Sequence, residues 1–182
     1  MTVRRSELCG VEIAAFDLLK KIVRMGFTTR VIAGGKVVKG SGKSQKSRRS
    51  MALDSFTTGV MVVHFQQIEQ YKKDWGDAYQ DHGLAFCWED GRPIHPDTVT
   101  EEFNRLVDFL GLPKIRFHDV RHTYATISLR TGVHPKIVSS RLGHATVAFT
   151  LDTYTGDVED LDRDAAEAVI GLFKPRSQKG LA

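Results

Sequence analysis

Behind Asp54, a residue suited to capping a helix start, apolar side chains return at Met61, Phe65, Ile68 and Tyr71 before the run ends in YKKDWG. Apolar positions recurring every three to four residues predict an amphipathic helix. The same logic predicts a second helix with Asp97 as cap, Phe103, Leu106, Val107 and Leu110 as its apolar stripe, and Gly111 as its stop. Both read as packing helices. Further helices are predicted from Asp119 to Thr131, stopped by Gly132, from Pro135 to Leu142, and from Val158 to Phe173. The last carries Leu161, Ala165, Ala168, Val169 and Leu172 on one side, and a face of that kind predicts core packing. Val3 to Leu8 reads as the end of a helix that begins almost at the first residue.

Between the Val3 to Leu8 segment and the helix behind Asp54 the pattern changes. Two short β-branched runs, Arg30 to Ala33 and Lys36 to Lys39, flank Gly34 and Gly35, which predicts a hairpin. The turn GSGKSQKS then leads to a third short strand near Arg49 to Leu53. The expected fold class is α+β, mainly α, with a small three-stranded antiparallel sheet and a basic loop. No internal repeat or low-complexity tract interrupts it, and only the tail KPRSQKGLA reads as disordered.

At 182 residues and 41% apolar content, the chain suits one domain with a buried core. Its net charge of +4 is modest, but the charges are segregated. Six cations and no acid lie from Lys36 to Arg49, whereas seven acids face the single Arg163 from Asp152 to Glu167. Two different contacts are expected of those two ends. Cys9 and Cys87 lack metal-ligand spacing and read as reduced thiols. No apolar run is long enough for a signal peptide or a membrane span, so no membrane partner is expected and the location is expected to be cytoplasmic.

Chemistry concentrates in FHDVRHTYAT, Phe117 to Thr126. On a helix His118, Arg121, His122 and Ala125 share one face, while Val120, Tyr124 and Ile127 point elsewhere. HDVRH has the spacing of a zinc hydrolase motif, and His-x-x-Arg equally suits a phosphate grip. The zinc reading sets a permanent cation, Arg121, between two ligands and lacks a third, so it is the remote alternative.

Arg4 and Glu7 in RRSEL, Lys43 in the basic loop, HDVRH, His144 in LGH and the isolated Tyr154 appear in that order. Together they resemble the catalytic domain of tyrosine recombinases, the phage integrase family, and most of all the actinobacterial and actinophage integrases. The resemblance implies a catalytic domain over residues 1–174 and a disordered tail over 175–182. It also implies a core-binding domain ahead of the catalytic half, expected to be absent here because the chain starts almost on Arg4. A non-catalytic DNA-binding fragment of a recombinase is therefore the main alternative.

By that resemblance the catalytic residues are Arg4, Lys43, His118, Arg121, His144 and Tyr154, with Glu7 and His122 supporting and Lys46, Arg48 and Arg49 on DNA phosphates. Tyr154 is expected to attack a DNA phosphodiester, leaving a 3′-phosphotyrosine and a 5′-hydroxyl. Two guanidiniums suit the extra charge on the non-bridging oxygens. A tyrosine hydroxyl, with an unperturbed pKa of about 10, needs a base, for which His118 is the candidate. His144 would donate to a non-bridging oxygen, and Lys43 would protonate the leaving alkoxide. The covalent intermediate conserves bond energy, so no ATP, metal or other cofactor is expected. The implied partners are double-stranded DNA attachment sites, a tetramer of this chain on DNA, and host or phage DNA-bending factors. The implied function is site-specific recombination for phage or prophage integration and excision, at the bacterial nucleoid.

Overall fold

The computed structural model describes residues 3–26, 29–33, 36–40, 48–144 and 146–154. The helix expected over 158–173, the tail over 175–182, Lys43 and Lys46 lie outside the described residues, as does the Gly34–Gly35 turn. The described chain runs α1 (Arg5–Gly10), a short 3₁₀ turn, β1 (Phe16–Asp17), β2 (Ile22–Met25), β3 (Thr29–Ala33), β4 (Lys36–Gly40) and β5 (Arg49–Ala52). It continues through α2 (Ser55–Trp75), α3 (Pro96–Phe109), α4 (Phe117–Arg130), α5 (Pro135–Leu142) and α6 (Val147–Tyr154). Mainly helical, with a three-stranded antiparallel sheet, it has the expected class.

The sheet is built differently from the expectation. Among the described residues β3 and β4 pair only with each other, in register from Thr29 opposite Gly40 to Ala33 opposite Lys36. The three-stranded sheet is β1-β2-β5, with Val23 opposite Met51 and Met25 opposite Arg49. β1 and β2 are joined by a turn without glycine, in which Asp17 accepts a hydrogen bond from the Lys20 backbone N–H at 3.0 Å and Lys21 takes a φ of 52°. The carboxylate does the work that glycine or asparagine usually signals.

Helix starts follow from local chemistry. Asp54 caps α2 by accepting from the backbone N–H of Thr57 at 2.8 Å. For α3 the cap is His95, not Asp97: Pro96 holds the first helical position, which fixes the start two residues earlier. α4 begins two residues before Asp119, whose carboxylate at N3 reaches back to the Arg116 backbone N–H at 2.8 Å. α1 begins at Arg5 rather than near residue 1, because Glu7 does the same for the Arg4 backbone N–H at 2.8 Å.

Two apolar clusters result. One joins Val3, Val11, Val23, Met25, Met51 and Leu53 around the sheet, with Phe65 of α2 against it; the other joins Ala125 and Leu129 of α4 to Val138 and Leu142 of α5. Met61 and Ile68 bury one side of α2. On α3 only Val107 is buried, and Leu106 and Leu110 of the expected stripe are exposed. α6, which the sequence pattern did not predict, packs on α5 and α4.

Candidate active site

The seam between the two apolar clusters is occupied by arginines. α5 ends at Gly143 in a left-handed conformation, φ 65° and ψ 42°, the arrangement that favours glycine. A helix end leaves its last carbonyls without intrahelical partners and carries a partial negative charge. Here three consecutive carbonyls each accept from an arginine of a different element. The Arg141 carbonyl takes Arg49 Nε of β5 at 3.0 Å, the Leu142 carbonyl takes Arg121 Nη2 of α4, and the Gly143 carbonyl takes Arg4 Nη2 of the α1 cap at 3.3 Å.

Arg121 lies on the inward face of α4 with Ala125, Ser128 and Leu129, and is 5% exposed. Arg4 is half-exposed, its Nη1 on Glu7 Oε1 at 3.0 Å. Glu7 stands between Arg4 and Arg49. Burial pushes its carboxyl pKa up, but the hydrogen bonds from the Arg49 side chain and the Arg4 backbone outweigh that and hold it below its ordinary value. Arg4, Arg5, Arg116, His118 and Arg121, with Thr100, line a cleft of about 360 Å³. Arg5 spans it to Asp97 at 3.0 Å and Thr100 at 2.8 Å, and Arg116 pairs with Asp119 at 2.8 Å.

His144 follows Gly143 directly, and its Nδ1 lies 2.9 Å from the Thr150 hydroxyl of α6, a fully buried residue. Burial, then Arg121, Arg4, His122 and Arg49, lower its pKa to about 4. His118 is exposed at the first turn of α4, and burial, His122, Arg121 and Arg116 lower its pKa against the opposing pull of Asp119. The rings of His118 and His122 stand edge to face at 4.7 Å. Near neutral pH both His118 and His144 are neutral imidazoles. Tyr154 is the last residue of α6, one turn beyond Thr150; its backbone is described.

The site therefore gathers Arg4, Glu7, Arg121 and His144 around the α5 end, with His118 in the adjoining cleft. Arg48 is exposed. Arg49 is a correction: expected on DNA, its side chain is 4% exposed and forks onto Glu7 at 3.0 and 2.9 Å. It sits on the buried face of β5 with Met51. Arg5, Arg116 and Thr150 were not foreseen. The one available signal was Arg116-x-x-Asp119, which repeats the spacing of Arg4-x-x-Glu7. Among the described residues no three His, Cys, Asp or Glu side chains are grouped to hold a metal ion.

The sequence model of the Phage integrase family matches residues 1–160. The chain is 26% identical to the "Tyrosine recombinase XerC-like" protein of Caldanaerobacter subterraneus subsp. tengcongensis, over 94% of this chain and 46% of that protein. It is 28% identical to an integrase of Streptomyces ambofaciens, over 74% of this chain and 36% of that protein. In both cases the chain spans less than half the relative's length. Its fold is similar to that of the Tn1549 transposon integrase, solved in complex with transposon right end DNA. That match has a TM-score of 0.74 at 21% identity and covers 92% of this chain and 55% of that one.

Proposed function

The chain belongs to the phage integrase family, and we propose that it cleaves and rejoins DNA strands site-specifically, through a covalent bond between Tyr154 and a DNA 3′-phosphate. The observation that supports this most is the convergence of Arg4, Arg121 and His144 on one helix end, beside a cleft holding His118. Two guanidiniums brought from chain positions far apart form a site for one anionic group that gains charge when attacked. The neutral state of both histidines fits their assigned parts. His118 in that state accepts the Tyr154 proton. In the tautomer in which His144 Nδ1 accepts from the Thr150 hydroxyl, the ring proton is on Nε2, from which it is donated to a non-bridging oxygen.

In this reading Tyr154 Oη bonds to phosphorus, the bond to the 5′ oxygen breaks, and Lys43 supplies the proton to the departing alkoxide. A 5′-hydroxyl of a second strand then reverses the step and releases the tyrosine. The phosphodiester bond energy is carried through the covalent adduct. Arg48 and Lys46 belong to the non-specific phosphate contacts that position the duplex. Double-stranded attachment sites are the proposed substrate and a tetramer on DNA the proposed assembly, serving phage or prophage integration and excision.

The test uses nicked suicide duplexes carrying attachment sites, from which the cut end diffuses away and traps the adduct. The expected result is a protein–DNA band that survives denaturant with wild type and is absent with Tyr154→Phe. A band of equal strength in Tyr154→Phe would move the nucleophile elsewhere. Arg121→Met is expected to lower the cleavage rate at saturating DNA by about 10²- to 10³-fold.

A further inference from the structure

We infer that Arg49 is a positioning residue for strand cleavage: buried against Glu7 and the α5 end, its guanidinium sets the place of Arg4 through Glu7 and the place of Arg121 through the α5 end. The inference rests on the recombinase reading of the site and adds to it a residue that is built to face the protein and not the nucleic acid.

The geometry is one of shared partners. Glu7 Oε1 accepts from Arg4 Nη1 and Arg49 Nη1, both at 3.0 Å, and Glu7 Oε2 accepts from the Arg4 backbone N–H at 2.8 Å and Arg49 Nη2 at 2.9 Å. Whatever moves the carboxylate moves Arg4. The third edge of the Arg49 fork, Nε, donates to the Arg141 carbonyl, one residue before the carbonyl that receives Arg121 and two before the one that receives Arg4. Arg49 thus holds both supports of the two-arginine clamp in one rigid plane. The fit is close: a Cβ on Gly143 would lie 2.9 Å from Arg49 Nη1, so the turn needs glycine for its φ of 65° and also for the approach of this guanidinium. A lysine ammonium is a point charge on a flexible stem; it can reach the carboxylate or the carbonyl but does not impose their relative orientation.

Misplacing a reacting group by about 1 Å costs roughly 10²-fold in rate. In single-turnover cleavage of suicide duplexes, Arg49→Lys is therefore expected to slow adduct formation at saturating DNA by about 10- to 100-fold, with DNA affinity within about threefold of wild type. Because part of the Arg49 effect passes through Arg4, the loss in the double variant Arg4→Lys/Arg49→Lys should be well short of the product of the two single losses. Glu7→Gln, nearly isosteric, should reproduce the rate loss and serves if Arg49→Lys does not fold by circular dichroism. Wild-type cleavage rates in folded Arg49→Lys or Glu7→Gln would overturn the inference. So would a double variant whose losses multiply, or a loss confined to DNA affinity. Wild type that forms no adduct on any attachment site overturns the recombinase reading and this inference with it, whereas wild-type adduct beside an unaffected Arg49→Lys overturns this inference alone.

Discussion

His144 is neutral in the folded protein because it is partly buried and because Arg121, Arg4, His122 and Arg49 disfavour a further positive charge; its pKa falls from 6.5 to about 4. Between those two values the unfolded chain binds a proton that the folded chain refuses. The group's contribution to stability is therefore in place above about 6.5 and is lost as pH falls toward about 4. The melting temperature of wild type is expected to drop more steeply across that window than that of His144→Gln, measured by circular dichroism; parallel drops would contradict the low pKa. Residues such as His118, Arg121 and His144 were legible in the sequence because order and spacing carried them. Arg49 was legible too, by a signal outweighed by its charge: a strand has period two, so Arg49, Met51 and Leu53 share a face while Arg48 points away. Arginine on an apolar face needs a carboxylate, and Glu7 is that carboxylate.

Helix ends account for most of the differences at the next scale. Pro96 and the back-reaching carboxylates of Glu7 and Asp119 set starts that apolar periodicity alone places a few residues off. Where the cap was read correctly, at Asp54, Asp54→Ala is expected to lower the urea midpoint of unfolding, since the N–H of Thr57 loses its acceptor. β1 and β2 escaped the sequence reading for a different reason. They are two and four residues long, and their turn hides its chemistry in Asp17 and a left-handed Lys21 instead of a glycine. Once β2 is present, β5 has a partner, and among the described residues the hairpin β3-β4 pairs only with itself.

Across the whole molecule the two apolar clusters meet through a polar seam, which is where stability and chemistry are coupled. Arg49 and Glu7 have side-chain exposures of 4% and 12%, so truncating one partner strands the other away from water. Arg49→Met is expected to lower unfolding free energy by roughly 3–5 kcal/mol in chemical denaturation, far more than exposed ion pairs such as Arg105–Glu102 are worth. The overall class was readable from periodicity; the seam was not, because it joins residues 4, 49 and 121 to the turn at 141–143 through contacts that no local pattern encodes.

That wiring has a consequence for synthesis. Arg4 and Gly143 lie 139 positions apart, so during translation the first guanidinium emerges long before the turn on which it will rest. A ribosome-bound or proteolytically shortened chain that lacks α5 holds every basic group of its N-terminal half without the scaffold to array them. The array of Arg4, Arg49 and Arg121 on the α5 end is therefore assembled late, with completion of the fold, because long-range closure comes last.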